Sequence, residues 1–456
     1  MTIPTYMGLQ TALSGLEAAQ AAINTTGQNN ANASTPGYSR EEVNLTERSP
    51  LTIPALSSYT GQGSQLGSGV DITSITRIRD SFLDSQYRAQ NTETSGDNTN
   101  ATILGQAQAA LNEPTSSGLS SILDTFWQGW NGYVQNPGSG ATQALIGDGQ
   151  AVADSLNTLS GQITTLQSQV TDQYDTITNT STGAVATDAN SIAQLNVQIA
   201  QAQSAGIDAN DLMDQRDEAI DDLSQYSNVD VTTQSNGMVN VSFGNAATAA
   251  QNGTTDPTPL VDGGTTNVAA NVTDANLSGS GGTLGSLLGL YDSTTGTGKL
   301  SDYLSSLNTV ASQLVSTVNS AISGADAQGA TAPPFFSTTG TTAATIAVNP
   351  SLSSASTPYT TAEAQAVNGL SGGQAQSTYQ AFVSQVGGDV QSAQNSQSTA
   401  QSLLTAIGNQ RQSVSGVSLD EEMTNLIQFQ QAYQASAKVM STINDTFTSL
   451  LNMVSG

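Results

Sequence analysis

The chain has 456 residues and carries nine Lys and Arg residues against 36 Asp and Glu residues, which gives a formal net charge of −27. Nucleic acid and anionic membranes carry charge of the same sign, so both are poor partners for it. The sequence contains no Cys and no His, which excludes disulfides, cysteine nucleophiles, imidazole bases and zinc sites built from these ligands.

Only 10% of the residues are charged, compared with about 25% in typical soluble domains. The polar surface must therefore consist mainly of Ser, Thr, Asn, Gln and Gly, which suits dense packing of identical subunits but would also suit a linker-rich secreted protein. Residues 1–30 lack the basic and apolar regions of a Sec-type signal, and no apolar run approaches the 18 residues of a membrane span. We therefore expect no membrane insertion, and export would need another route.

A first helix is predicted from about Thr5 to Asn30. Residues at alternating spacings of three and four, typical of a coiled-coil seam, are Tyr6, Leu9, Leu13, Leu16, Gln20 and Ile23. The helix ends in a turn-rich segment, residues 25–40. Within this segment Pro36-Gly37 fits a type II turn, and Tyr38 and Arg40 follow directly.

The next segment, residues 41–75, has no helical period and predicts extended structure with a short strand at 70–75. From residue 100 to 206 the chain is predicted to be mostly helical. Two tryptophans, Trp127 and Trp130, share one helix face there with Phe126 and Tyr133. Such an aromatic group could bind sugar, but it is more typical of a packed core.

Residues 210–231 predict a short acidic amphipathic helix that leads into a β-hairpin. The hairpin strands are predicted at 229–233 and 238–243, joined across Asn236-Gly237. The following segment, residues 244–284, is rich in Gly, Thr, Asn and Ala and predicts a small β-rich or irregular insert.

Heptad spacing returns at residues 300–321 and 379–414. In the second run Gly387-Gly388 weakens the helix, so a kink could occur there. Between the two runs, residues 324–362 are rich in Gly, Ala, Thr and Pro, and a strand is predicted at Thr345–Val348.

The last forty residues predict one long helix without Pro or Gly between Val417 and Val454. Its seam follows a 4-3-4-3 spacing through Leu426, Gln430, Tyr433, Ala437, Met440, Asn444, Phe447, Leu451 and Val454. Such a helix needs another helix to cover its seam. The two terminal helices could pair with each other, pair with neighbouring molecules, or pack on an ordinary core.

The predicted fold is therefore mainly α with a small β-rich insert, in an elongated multi-domain protein with paired N- and C-terminal coiled-coil helices and a helical-bundle middle domain. The predicted terminal domain combines residues 1–75 with 415–456. The predicted bundle combines residues 76–228, 284–330 and 363–414, and the predicted distal β-rich region combines 229–283 with 331–362.

The sequence offers little for catalysis or for binding a cofactor or metal. The segments 61–67 and 279–285 lack the third glycine of a dinucleotide motif. In residues 208–214, Leu212 and Met213 replace a ligand and the required glycine of a calcium loop. The carboxylate pairs Glu421/Glu422 and Asp221/Asp222 point about 100° apart on a helix, so neither suits glycoside hydrolysis. No enzyme, cofactor or metal site is predicted.

Four segments carry a resemblance to a known family. ANASTPGYSR at 31–40 and LDEEMTNLIQFQQAYQASAKVM at 419–440 resemble the terminal signatures of bacterial flagellar rod, hook and hook-associated axial proteins. LGSGVDITSITRIRDSFLDSQYRAQ at 66–90 and NDLMDQRDEAIDDLSQYSNVDV at 210–231 resemble segments of the hook-associated members at the hook–filament junction.

This resemblance implies a structural subunit that joins hook to filament and assembles through its terminal helices. It implies as partners copies of the chain itself, the hook protein and the second junction protein. It further implies unfolded export by the flagellar type III apparatus, a cytoplasmic chaperone on the C-terminal helix, and an extracellular location. The expected assembly residues are Leu9, Leu13, Leu16, Ile23, Asn32, Thr35, Pro36, Gly37, Tyr38, Arg40, Leu426, Tyr433, Ala437, Met440, Phe447 and Leu451.

Two alternatives remain open at this point. One is another flagellar axial subunit of hook or filament type, although the TPGY turn argues against a flagellin and residues 210–224 argue against a hook subunit. The other, from a different class, is a secreted acidic glycan-binding protein or hydrolase that uses Trp127 and Trp130.

Overall fold

A computed structural model describes residues 5–53, 64–251, 258–325 and 332–455 of the chain. The fold is mainly helical and elongated, with a few small antiparallel sheets, which confirms the predicted class. The helices are α1 (Thr5–Asn32), α2 (Ser81–Leu111), α3 (Leu119–Gln135), α4 (Ser139–Thr178), α5 (Ala184–Ser204), α6 (Asn210–Leu223), α7 (Asn245–Gln251), α8 (Val268–Asn271), α9 (Asp274–Leu277), α10 (Gly282–Leu290), α11 (Lys299–Ala325), α12 (Thr361–Asn368), α13 (Gln374–Ser415) and α14 (Leu419–Ser455).

The strands form three small antiparallel sheets. The strands are β1 (Glu41–Glu47), β2 (Leu51–Ile53), β3 (Ser64–Leu66), β4 (Val70–Arg77), β5 (Val229–Thr233), β6 (Val239–Phe243), β7 (Val261–Asp262) and β8 (Thr265–Thr266). In the described chain β1 pairs with β4, β2 pairs with β3, and the third sheet has the order β5-β6-β7-β8.

The β1–β4 pair lies against α1 and follows it in the chain. Its register runs from Glu41 opposite Arg77 to Glu47 opposite Val70, with an irregularity between Asn44 and Leu45. The predicted strand at 70–75 is confirmed and extends two residues further. The side chain of Ser14 in α1 accepts a hydrogen bond from the backbone of Val70 at 3.2 Å, which ties this hairpin-like pair to the first helix.

The larger of two hydrophobic cores, here called core A, lies between α2, α3, α4, α11, α12 and α13. Its centre is an aromatic group in which Phe126, Trp130 and Phe335 have ring centroids between 5.3 and 6.3 Å apart. The hydroxyl of Tyr133 donates to the backbone oxygen of Tyr359 at 3.0 Å. Both tryptophans are buried here, so they form core and present no aromatic surface for a sugar.

The smaller core, here called core B, lies between α5, α6, the β5–β8 sheet and the short helices α8 to α10. The predicted hairpin is confirmed, with Val229 opposite Phe243 and Thr233 opposite Val239. Gly237 in its turn has a φ of 78°, a conformation that suits glycine because it has no Cβ. The segment after the hairpin is more helical than predicted, since α7, α8 and α9 lie within residues 244–284.

Two expectations for residues 331–362 differ from the structure. Residues 345–348 do not form the predicted β-strand. An isolated antiparallel bridge joins Val348 to Phe336. Phe335, Phe336, Ile346 and Leu352 pack into core A, so this segment belongs with the helical bundle and not with the β-rich region. Helix α13 also continues through Gly387-Gly388, because packing along its length outweighs the weak helix propensity of glycine.

Candidate functional site

Helices α1 and α14 pair in antiparallel orientation. A Cβ placed on Gly8 would lie 3.2 Å from Ile443 Cδ1, and one on Gly15 would lie 3.1 Å from Ser436 Oγ. Further along, the side chain of Asn29 donates to Glu422 Oε2 at 3.2 Å. In each of these three pairs the residue numbers sum to 451, so one register holds over the length of α1.

Small residues form the inward face of α1. Ala12, Ala19 and Ala22 are buried and lie on the same helical face as Gly8 and Gly15. Small side chains allow two helices to approach closely, and the near contacts at both glycines show that they do so here. The α1 seam is therefore glycine and alanine rather than leucine.

This corrects the seam that spacing predicted for α1. Leu9, Leu16 and Ile23 are only half-buried, and Leu13 is 43% exposed. A stripe of large apolar residues marks the face that can bury most area, and in this molecule that face is left partly uncovered by α14. The side chain of Tyr6 lies outside the described residues.

The predicted seam of α14 contains half-buried and exposed residues. Leu426, Tyr433, Ala437, Met440 and Phe447 are half-buried, whereas Gln430, Asn444 and Leu451 are exposed. Between 419 and 453 only Glu422 is buried, so α14 has no fully buried apolar side chain in its described part. Large apolar residues of α14 that stay at least half-exposed are Leu419, Met423, Ile427, Val439, Leu450, Leu451 and Met453.

The turn after α1 connects several elements through Asn29. The hydroxyl of Tyr38 donates to Asn29 Oδ1 at 2.8 Å, and the backbone of Glu41 donates to the same oxygen at 2.9 Å. Burial raises the pKa of the Tyr38 hydroxyl, and the nearby carboxylates of Glu41 and Glu422 raise it further. Tyr38 therefore stays protonated and acts as a hydrogen-bond donor.

Further contacts of this turn reach α13 and α14. The backbone of Arg40 donates to the oxygen of Ser415 at 2.8 Å, and its side chain pairs with Glu421 at 3.1 Å. Gly37 has a φ of 76°, and a Cβ there would lie 3.0 Å from Glu218 Oε2. Thr35 and Pro36 are exposed, while Asn32 and Thr35 are joined by a side-chain hydrogen bond of 3.2 Å. The turn signature thus holds the end of α1 against α6 and the start of α14.

An ion-pair network on α6 lies beneath this turn. Asp214 accepts from Arg77 at 2.6 Å, and Asp221 accepts from Arg88 at 2.7 Å and from Arg411 at 2.6 Å. Asp217 lies between them and pairs with Arg77 at 2.9 Å and Arg79 at 3.0 Å. The network joins β4, α2, α6 and α13, so it fixes the terminal region to both cores.

The network favours the charged form of Asp217. Burial by itself would raise the pKa of Asp217, but the guanidinium groups of Arg79, Arg77 and Arg88 outweigh it and hold that pKa below its usual value. Each close cation favours the ionised carboxylate. Asp217 is consequently the negative charge at the centre of this ion-pair network.

Sequence reasoning missed this network, although one signal for it was present. Asp214, Asp217 and Asp221 recur at spacings of three and four and therefore share one face of α6. Four of the nine basic residues of the chain, Arg77, Arg79, Arg88 and Arg411, pair with that face. Which arginines would meet the face required the tertiary structure. Within the described ranges no group of three or more acidic residues is placed to hold a metal ion, and no helix there is long and apolar enough to cross a membrane.

The chain is an elongated, mainly helical protein whose first and last helices pair, and its last helix leaves apolar residues uncovered. Comparisons with known proteins specify its class. Residues 104–336 match the model of the flagellar hook-associated protein FlgK helical domain. Residues 9–38 match the flagella basal body rod protein model, and residues 409–453 match the C-terminal model of flagellar basal body rod FlgEFG proteins.

Relatives with the same description align along the whole chain. Flagellar hook-associated protein 1 of Bacillus subtilis is 31% identical, with 98% of each chain covered. The Escherichia coli protein of that name is 26% identical, covering 98% of this chain and 99% of the relative. The hook junction protein FlgK of Burkholderia pseudomallei is similar in structure with a TM-score of 0.45 and 24% identity, over 56% of this chain and 46% of that one. The chain belongs to the flagellar hook-associated protein 1 family and is a structural component of the bacterial flagellum.

Proposed function

We propose that this chain is the subunit that joins the hook to the filament and that it assembles through α1 and α14. The observation that carries the proposal is the incomplete burial of α14. Its residues Leu419, Met423 and Ile427 recur every four positions, lie on one stripe and are each at least 50% exposed. Exposed apolar stripes of this kind are typical of protein contact surfaces.

The family supports association with other axial components of the flagellum, because the terminal regions match rod-protein models. We infer that the specific partners are copies of the chain, the hook protein and the second junction protein. The half-exposed Leu9, Leu13 and Leu16 of α1 and the uncovered stripe of α14 are the surfaces proposed for these contacts.

Export and location are part of the same proposal. A subunit of the external flagellum must leave the cell, and we infer the flagellar type III route in unfolded form. Before assembly, Leu450, Leu451 and Met453 are an aggregation hazard since they are highly exposed. A cytoplasmic chaperone that covers α14 would remove this hazard. An enzymatic role is not proposed, because the relatives are structural proteins of the flagellum.

Replacing Leu419, Met423 and Ile427 together by Ser tests the proposal. A matched control replaces the exposed Gln428, Gln431 and Gln434 of the same helix by Ser. The apolar triple variant should keep the far-UV circular dichroism of the monomer but lose assembly in sedimentation velocity and lose swarming when it replaces the native protein. The control should retain both. Normal assembly and swarming by the apolar triple variant would count against assembly through α14.

A further inference from the structure

A cavity of about 660 Å³ lies where α2, α6 and the β5–β6 hairpin meet. Four arginines line it, namely Arg77, Arg79, Arg88 and Arg216. This concentration is unusual for a chain with only nine basic residues and a net charge of −27. The contacts that the ion-pair network makes explain three of these arginines but leave Arg216 without a charged partner.

Arg216 is a buried cation without a carboxylate partner among the described residues. It is 5% exposed, and its Nη1 donates to Asn196 Oδ1 at 3.2 Å and to the backbone oxygen of Gly237 at 2.8 Å. Its buried Nε has no hydrogen-bond acceptor in the part of the chain that the structure covers. A buried guanidinium that meets only neutral oxygens has an uncompensated charge, which is strongly unfavourable in a low-dielectric interior.

The neighbouring arginines add to the positive potential at Arg216. Arg77, Arg79 and Arg88 all lie within 4 Å of the Asp217 carboxylate, at 2.9, 3.0 and 3.8 Å. Each also pairs with a second carboxylate, from Asp214, Asp84 and Asp221 respectively. Burial lowers the pKa of Arg216, and of the neighbouring charges Asp217 raises it while the other three arginines lower it further. Among the arginines that line the cavity, the buried donor left without an acceptor in the described structure is therefore Nε of Arg216.

We propose that this cavity is a binding site for a small oxyanion of the phosphate or sulfate type, with Arg216 as its principal ligand. Guanidinium groups present planar sets of N–H donors that match the oxygens of such anions. Ser85, Gln86 and Asn228 also lie in the walls of the cavity, beside the apolar Val229, Val231 and Val239. Asp84, Asp217 and Asp230 line the same cavity, so they oppose an anion by like-charge repulsion and limit its affinity.

The site is independent of the terminal helices, since its walls belong to β4, α2, α6 and core B. An anion there would bridge α6 and the β5–β6 hairpin, because Arg216 already contacts Gly237 in the hairpin turn. Bound anion should therefore stabilise the folded state of this region, whether or not the subunit assembles.

Inorganic phosphate is the probe for the test, with sodium chloride added to keep ionic strength constant across the series. In the full-length protein, phosphate should raise Tm by about 1–2 °C at tenfold its dissociation constant. Arg216→Gln should lose this shift, whereas Arg48→Gln, which removes one exposed charge far from the cavity, should keep it. Asp230→Asn should bind phosphate more tightly, and isothermal titration should detect at least a threefold gain.

Three results would overturn the proposal. The first is that phosphate up to about 50 mM produces no shift beyond that of chloride at equal ionic strength. The second is an equal shift in the wild type and in Arg216→Gln, provided hydrogen exchange shows that the β5–β6 hairpin is intact. Should Arg216→Gln fail to fold, the Asp230→Asn variant decides, because unchanged or weaker phosphate affinity in it contradicts an anion at this position.

Discussion

Asp214 accepts two hydrogen bonds from Ser39, one from its backbone nitrogen at 2.9 Å and one from its hydroxyl at 2.7 Å, although 175 positions separate the two residues. Ser39 lies in the turn after α1, and Asp214 lies on the buried face of α6. The same carboxylate pairs with Arg77 of β4. One buried side chain therefore connects the terminal region to core B.

Replacing Asp214 by Ala should cost about 3–5 kcal/mol of stability, because it leaves the Arg77 cation and two donors of Ser39 buried without their partner. Urea unfolding followed by circular dichroism measures this loss. Hydrogen exchange should accelerate in residues 33–47 in particular. Asp71→Ala is the matched control, since it breaks the exposed pair with Arg48 and should change stability little. Similar losses in the two variants would mean that the buried network is not what holds the turn.

Two glycines near the end of α1 should respond to Ala with opposite signs. Gly37→Ala should cost about 1–2 kcal/mol, because an L-residue is strained at a φ of 76°. Gly27→Ala should instead stabilise by about 0.5–1 kcal/mol, since Gly27 is helical and its added Cβ would meet no atom within 4 Å. Thermal unfolding of both variants checks the pair. A stabilised Gly37→Ala would show that the turn does not adopt the described conformation in solution.

Because small residues form the contact face of α1, substitutions at Ala19 and at Leu13 should have different effects on stability and assembly. Ala19→Leu should force α1 and α14 apart and cost about 1–3 kcal/mol, as expected for overpacking at a buried position. Leu13→Ala should leave the stability of the monomer within about 0.5 kcal/mol, because Leu13 is exposed, yet it should weaken assembly. Hydrogen exchange of α14 and sedimentation velocity measure the two effects separately. If Leu13→Ala destabilises the monomer more than Ala19→Leu, the leucine seam is the true contact.

The pH dependence of core B should change when Asp188 is replaced by Asn. Burial, together with the smaller effect of the Asp222 charge, raises the pKa of Asp188 to about 6. Because this folded-state pKa lies above the unfolded value of 3.8, protonation favours the folded state. That contribution is complete below about pH 4 and is lost as the pH rises through 6.

Asp188→Asn should therefore raise the free energy of unfolding by about 1 kcal/mol at pH 7, after solvent screening of a half-buried group is allowed for. At pH 4 the variant and the wild type should be equal. Replacement of the exposed Asp172 by Asn serves as the control for loss of one negative charge. A gain at pH 4 as large as that at pH 7 would exclude titration of Asp188 as the cause.

Local patterns were sufficient to predict several elements from the sequence. The Asn236-Gly237 dipeptide located the β5–β6 hairpin, because Gly237 can adopt the left-handed conformation that the turn contains. Apolar spacing gave the terminal helices and five of the half-buried residues of α14. In each case the information lies within a few neighbouring residues, where backbone sterics and side-chain periodicity act.

The contact face of α1, the packing of Phe335 and Phe336, and the partners of the α6 carboxylates could be determined only from the tertiary structure. The residue spacing predicted that α1 contacts α14 through Leu13. In the structure Gly8 and Gly15 lie at this contact instead. The contact face depends on how closely the partner helix can approach, and not only on side-chain size. Phe335 and Phe336 belong to core A because their rings pack against Phe126, which lies in the helical bundle. The ion pairs on α6 join residues from distant parts of the chain. The spacing of Asp214, Asp217 and Asp221 displays an acidic face, but it does not tell which arginines meet that face.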